Sequence, residues 1–208
     1  MPRLALTDSE ISAYRERIIE AASRLFAAEG FEAVTLRAIA TEIGCSPMTP
    51  YRYFRDKDEI FALVRAEAFR RFADAQERVA AATDEAAETL ARLGRAYVEF
   101  ALAAPDAYRF MFELHQDTDG DYPELAEQGT RAWLPMREAV SRAIAAGTLE
   151  GDADTVAHVF WSGLHGLVSL HLAGKLRLGL DLEQLVEPMM RTLFNGNAVH
   201  HAAKEIEP

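Results

Sequence analysis

Apolar positions recur three and four residues apart along most of the chain, and glycine, proline and short polar residues fall mainly between these periodic stretches. That spacing predicts an all-α protein. The first helix opens near Thr7, with Glu10 three residues on as a capping box, and buries Ile11, Ile18, Ala22, Leu25 and Phe26. Leu36, Ile39, Ala40 and Ile43 mark one face of a second, short helix. Thr35 is placed to cap it and Gly44 to end it in a left-handed turn. Cys45 reads as a small buried hydrophobe in that turn. Ser46-Pro47 opens a third helix, which must accommodate Pro50. Either Pro50 is the fourth helical residue and deletes one backbone bond, or Thr49 is the cap and Pro50 the first helical residue. In both cases the helix is short and starts late. Phe54 is expected to point inward, and Tyr51, Arg52 and Tyr53 outward or sideways.

Asp56 and Glu59 form a further capping pair that opens a helix at Lys57. It is expected to reach about Ala82 as a rod shared by head and body. Thr83 or Asp84 caps the next helix, which ends near Ala104-Pro105. A short helix, DAYRFMFELH, and a turn-rich stretch, DTDGDYPE, follow. A long helix runs from about Pro123 to Ala146 and stops at Gly147. Asp152 opens a helix to about Gly174, and Asp181 opens the last, to about Phe194. The expected division is a helix-turn-helix head over 1–58, a helical ligand-binding and dimerisation body over 59–197, and a frayed tail over 198–208 that holds His200 and His201.

The helix from Asp152 carries no charge through its middle. Val156, Phe160, Leu164, Leu167 and His171 share one face, and His158, Trp161, His165, Val168 and Leu172 another. Ser162, Gly166, Ser169 and Ala173 form a stripe of small residues. Such a helix is expected to be buried all round, its small stripe admitting a second helix closely. The last helix is amphipathic through Leu182, Leu185, Val186, Met189, Leu193 and Phe194. The small stripe together with Leu185, Met189 and Leu193 is the candidate dimer interface, a four-helix contact with a second copy whose two-fold symmetry suits paired operator half-sites. The plainer alternative is that both helices pack within one monomer.

Half of the 208 residues are hydrophobic, enough for a sizeable core. The single cysteine excludes an internal disulfide framework and fits a reducing cytosol, so a cytoplasmic protein is expected. The N-terminus lacks the apolar core of a signal peptide, and no apolar run is long enough to span a membrane. The net charge of −11 argues at first against nucleic acid. Its distribution changes that: residues 1–58 hold eight Lys/Arg against nine Asp/Glu, and the rest hold fourteen against twenty-four. The head is near neutral, with its cations gathered toward the third helix, while the acidic body discourages nonspecific DNA binding.

Two short helices split by a glycine turn and followed by YRYFRDK have the form of a DNA-reading unit. The first turn of the third helix would enter a major groove, with Thr49 and its neighbours at base edges. Tyr51, Arg52, Tyr53 and Lys57 would meet phosphates. Phe26 and Gly30, then Thr35-Leu36-Arg37, Ile39-Ala40, Gly44, Cys45, Ser46, and Tyr51, Phe54 and Lys57, resemble the DNA-binding domain of the tetracycline-repressor (TetR) family over about residues 10–62. The resemblance implies phosphate contact by Thr35, Arg37, Tyr51 and Lys57, and base or near-base contact by Ser46, Met48, Thr49 and Tyr53. Family members usually carry leucine or another aliphatic where Pro50 stands. FWSGLHGLVSLHLAGKL resembles a Trp-x-x-x-His-Gly element in one branch of the family's C-terminal domains. The expected partners are a pseudo-palindromic double-stranded operator and a second copy of the chain.

Regulators of this family usually sense a small molecule in the helical body. The candidate lining is Tyr97, Phe100, Tyr108, Met111, Phe112, Trp133, Met136, Trp161 and His165, a mix of aromatics and a few polar tips that suits a largely apolar effector. Taken singly, each is more simply a core residue. His158, His165 and His171 are spaced seven and six apart, which does not converge on one ion, and His115 would need the fold to bring it near. No metal or cofactor is expected. HExxH, phosphate-loop, G-x-S-x-G and CxxC motifs are all lacking, so no enzyme is expected either. The rival to a repressor is a helical ligand-binding or scaffold protein whose head no longer binds DNA, an idea that rests on Pro50.

Overall fold

The structure, a computed structural model, describes residues 7–112 and 122–198. Among the described residues eight α-helices carry the fold: α1 (Asp8–Glu29), α2 (Leu36–Glu42), α3 (Lys57–Ala80), α4 (Ala86–Ala103), α5 (Pro105–Phe112), α6 (Pro123–Ala145), α7 (Ala153–Leu172) and α8 (Leu182–Gly196). A single 3-10 turn, Pro50–Arg52, lies between α2 and α3. Among the described residues the only β pairing is one isolated bridge, Leu149 to Ala198, which ties the end of α8 to the α6–α7 connection. His115, most of the DTDGDYPE stretch and the tail with His200 and His201 lie outside the described residues.

Local chemistry sets most helix starts where the sequence puts them. Thr7 and Glu10 close a capping box on α1, Thr35 accepts from the Ala38 amide at 3.1 Å, and Asp152 and Asp181 cap α7 and α8. Asp56 accepts from the Glu59 amide at 2.8 Å, as a cap for α3 should. The start of α4 differs from expectation. Its cap is Glu85, whose longer side chain reaches forward to the amides of Ala87 and Glu88, while Thr83 stays outside the helix and accepts from the Glu85 amide.

The described chain divides into two compact units. The first holds residues up to Arg70 together with Asp106–Gly129. Its core is built on Phe61, whose ring meets Phe26, Phe31 and Phe110 at centroid distances of 5.1, 4.7 and 6.0 Å. Ile18, Val34, Leu36, Ile39, Phe54 and Ile60 close around this cluster. Arg65, only 4% exposed, donates from Nε to the Phe110 carbonyl at 3.0 Å. A buried cation on a carbonyl of the last helical turn is well placed against the helix dipole. These contacts extend the unit past residue 58 and recruit α5 to it.

The second unit holds Arg71–Pro105 and the residues from Thr130 onward. Phe72 packs edge-on against Tyr97 and Phe100, and α4, α7 and α8 pack on one another. Two glycines permit this. A Cβ at Gly94 would stand 2.6 Å from Met190 Cε, and one at Gly163 would stand 2.9 Å from Leu193 Cδ1. The expectation that α7 is buried all round fails for the single chain. Phe160, Leu164 and Leu167 are buried, but Val159, Ser162, Ala173 and Leu170 (48% exposed) face outward. Helices α4 and α8 cover only part of its circumference.

Candidate nucleic-acid interface

The surface is built outward from α2. Thr35 and Arg37 stand exposed at its first turn. After Ile43 the chain reverses through Gly44, whose φ of +69° is the left-handed conformation glycine adopts without a Cβ penalty. The Cys45 amide then returns to the Ala40 carbonyl at 2.9 Å.

The segment expected to be the reading helix is a pair of tight turns rather than an α-helix. Thr49 donates its amide to Ser46 O at 2.8 Å, Arg52 to Thr49 O at 3.0 Å, and Tyr53 and Phe54 both to Pro50 O at 3.0 Å. Pro50 has no N–H to offer the Ser46 carbonyl, so the 3.6-residue ladder cannot pass through it. Thr49 occupies the cap position with Pro50 first in the 3-10 turn, but Thr49 is itself αR and its hydroxyl makes no capping bond.

Side chains divide as the pattern implies, with two corrections. Phe54 is buried; Ser46, Met48 (66% exposed), Tyr51 (55% exposed) and Arg52 face solvent; Thr49 is half-buried. Tyr53 is not free: its ring stacks on Tyr14 at 5.2 Å and 27°. Cys45 is half-buried rather than buried, with Sγ 3.5 Å from the Ser46 carbonyl.

Arg15, which the sequence did not single out, organises this region. Its guanidinium donates to the Tyr53 carbonyl, lies 4.3 Å over the Phe54 ring and pairs with Glu59 at 3.8 Å. Tyr14 and Arg15 together hold the turn from α1. Their signal is absent from local spacing, because they sit on α1 well before the residues they fix.

Lys57 donates from Nζ to the Phe31 carbonyl at 2.7 Å and lies 4.0 Å from that ring's centroid. An ammonium has three donors, so two remain for a phosphate. Arg55 leans on Asp56 and Glu59. Arg37 and Arg52 have no ion-pair partner among the described residues and are exposed. Arg37 on α2 and Arg52 beside Tyr51 are thus available to an anionic partner.

The effector candidates are divided between the two units. Tyr108, Met111 and Phe112 belong to the unit that holds the head, where Phe112 meets Tyr108 and Phe69. Tyr97, Phe100, Trp133, Met136, Trp161 and His165 belong to the other unit. There Trp133 and Trp161 are half-buried with centroids 6.2 Å apart, and Trp161 and His165 are 5.9 Å apart. His158, which shares the helix face of Trp161 and His165 but was not among the effector candidates, completes this ladder 4.4 Å from Trp133. Tyr97 Oη lies 3.4 Å from His165 Nδ1, and Ser169 Oγ lies 3.3 Å from His165 Nε2.

Burial pushes the pKa of His165 below its ordinary value of 6.5. The folded imidazole therefore resists a proton that the unfolded chain accepts. Stability held by the neutral ring is complete above about pH 6.5 and falls as pH drops from there toward the folded pKa. His165→Gln should flatten this decline. Melting temperatures of both proteins, compared at about pH 7.5 and 5.5, should differ more at one pH than the other; parallel profiles would remove the histidine from the pH dependence.

Comparison with known proteins identifies the family. Residues 18–64 match the family model described as bacterial regulatory proteins, tetR family, and residues 90–193 match the tetracyclin repressor-like C-terminal domain. An HTH-type transcriptional regulator of Mycobacterium tuberculosis is 28% identical over 185 residues, covering 88% of this chain and 80% of that protein. The HTH-type transcriptional repressor AcnR of Corynebacterium diphtheriae is 36% identical over 66 residues, 31% of this chain and 35% of its own length. A solved structure of a protein of unknown function from Rhodococcus sp. RHA1 superposes with a TM-score of 0.78 at 27% identity, over 96% of this chain and all of that one. No helix among the described residues is long and apolar enough to cross a membrane. The family is one of regulators rather than enzymes, and the chain belongs to it: this is a DNA-binding transcriptional regulator of the tetracycline-repressor family.

Proposed function

We propose that the protein is a homodimeric, cytoplasmic repressor released from its operator by a largely apolar small molecule held in the helical body. The observation that carries the DNA-contact assignment is the solvent-facing set Arg37, Met48, Tyr51 and Arg52, presented on a frame that Tyr14, Arg15 and Phe54 hold in place. Thr35, Arg37, Tyr51, Arg52 and Lys57 grip phosphates, and Ser46, Met48, Thr49 and Tyr53 lie at or near base edges. With two heads about 34–36 Å apart, the operator is a pseudo-palindrome with half-sites one helical turn apart. The ladder of Trp133, His158, Trp161 and His165, with Tyr97 behind it, receives the effector. To release DNA the effector must favour the non-binding state by about 1–3 kcal/mol. Band shift with the DNA upstream of the protein's own gene, at low salt, tests the assignment. A folded dimer that ignores this fragment at every salt concentration would end the self-operator reading.

The dimer assignment rests on the outward face of α7, where Ser162, Gly166, Ser169 and Ala173 keep the backbone approachable, with Leu185, Met189 and Leu193 of α8 alongside. A Cβ at Gly166 meets nothing within 4 Å in the single chain. Gly166→Leu should therefore leave the subunit folded, and slightly more helical, since glycine costs about 1 kcal/mol in a helix interior. It should nonetheless block close approach of a second copy. Sedimentation should show mostly monomer at concentrations where the parent is dimeric. A fully dimeric Gly166→Leu protein would move the interface elsewhere.

A further inference from the structure

We propose that a groove between the C-terminal part of α3 and the outer face of α4 binds an amphiphilic anion, a single carboxylate or phosphate head on an alkyl tail. The groove has a volume of about 800 Å³, within the range of small-molecule sites. Its floor is apolar, made by the half-buried Ala75, Val79, Ala96 and Phe100. Its rim carries Arg78, Arg92 and Arg95.

The charges on this rim are not all satisfied internally. Arg92 is taken by Glu88, whose carboxylate also accepts from Thr83. Arg78 and Arg95 are exposed and have no ion-pair partner among the described residues. Arg95 and the remaining carboxylate, Glu99, both stand on the ridge of α4 that this groove shares with a second one against α8. That second groove is acidic, with Asp181, Glu183 and Glu187 on its wall, as expected of a body that holds twenty-four Asp/Glu against fourteen Lys/Arg beyond residue 58. The arginine-rimmed groove reverses that sign.

Guanidinium groups match a carboxylate or phosphate with paired N–H donors. Alanines along the floor leave an alkyl chain room to lie flat, where it loses its water. A tail without a charge would gain nothing from the rim, and a short acid nothing from the floor. Both parts of the ligand are therefore required. Only Phe100 is common to this groove and the effector candidates, so the site is additional to the one proposed above.

Titration calorimetry of the full chain with dodecanoate and with dodecyl phosphate, below their micellar concentrations, tests this. Saturable binding of at least one is expected, at least tenfold weaker for dodecan-1-ol and for butanoate. The two anions separate a carboxylate site from a phosphate site. Arg78→Gln with Arg95→Gln should weaken binding at least tenfold and leave operator binding intact. Ala96→Trp, which fills the floor, should weaken it comparably. No saturable binding of either anion overturns the proposal. So does binding that survives the double arginine variant, which would place the amphiphile elsewhere, or binding that survives Ala96→Trp, which would reduce it to ion pairing at the rim.

Discussion

Phe61→Ala is expected to destabilise the protein by about 3–5 kcal/mol, the usual cost of deleting a buried phenyl ring. Phe61 is 1% exposed, and its ring is enclosed by Phe26, Phe31 and Phe110, contributed by α1, the α1–α2 connection and α5. Phe26 and Phe31 also pack on each other at 5.7 Å, which limits their collapse into the space. For a chain of this length the loss corresponds to a fall in melting temperature of about 6–20 °C. Native proteins hold only about 5–15 kcal/mol in reserve, so the head should become the first part to open. Hydrogen exchange should show faster opening of α1 and α2, and urea unfolding should give the size. Phe61→Leu, which keeps most of the volume, should cost much less. A loss below about 1 kcal/mol for the alanine variant would mean that the ring is not packed as described.

Tyr51→Ala acts on binding instead. The ring is 55% exposed and contributes little to the core, so the variant should fold with nearly unchanged stability. Each hydroxyl lost from a phosphate removes about 0.5–1.5 kcal/mol net, and a symmetric dimer loses two. Operator affinity should fall about 5- to 150-fold. Because the phenol is neutral, the dependence of binding on salt should not change. Lys57→Ala should differ there, lowering the salt slope by about 1 per head as a counterion-releasing contact is lost. Tyr53→Ala, in contrast, should lower stability, since its ring is stacked on Tyr14. Fluorescence anisotropy with operator DNA across a salt series separates all three. Tyr51→Ala affinity equal to that of the parent would remove the residue from the contact set.

What could be read from sequence was the chemistry that acts over a few residues. Thr7 with Glu10, Thr35, Gly44, Asp152 and Asp181 are caps and stops because a short side chain or a missing Cβ satisfies backbone groups three or four positions away. The misplacement of the α4 cap has the same origin: Glu85 does with a longer reach what Thr83 or Asp84 would do with a shorter one. Pro50 was visible as an obstacle, but the contacts that hold the resulting pair of turns come from Tyr14 and Arg15, which lie more than thirty residues before it. The same limit applies to α5. Its amphipathic pattern is plain, but nothing local says that Phe110 completes the core around Phe61. In the effector ladder, His158, Trp161 and His165 share a helix face and were legible together, whereas Trp133 is brought by α6.

The turn at Ser46–Tyr51 has a practical corollary. Its outermost side chains, Ser46, Met48 and Tyr51, add almost nothing to the packing that keeps the head folded, because Phe54, Tyr14 and Arg15 anchor the segment from behind. On the proposed contact scheme, operator preference can be rewritten at Ser46 and Met48, and the strength of the backbone grip tuned at Tyr51, with little penalty in solubility or thermal tolerance.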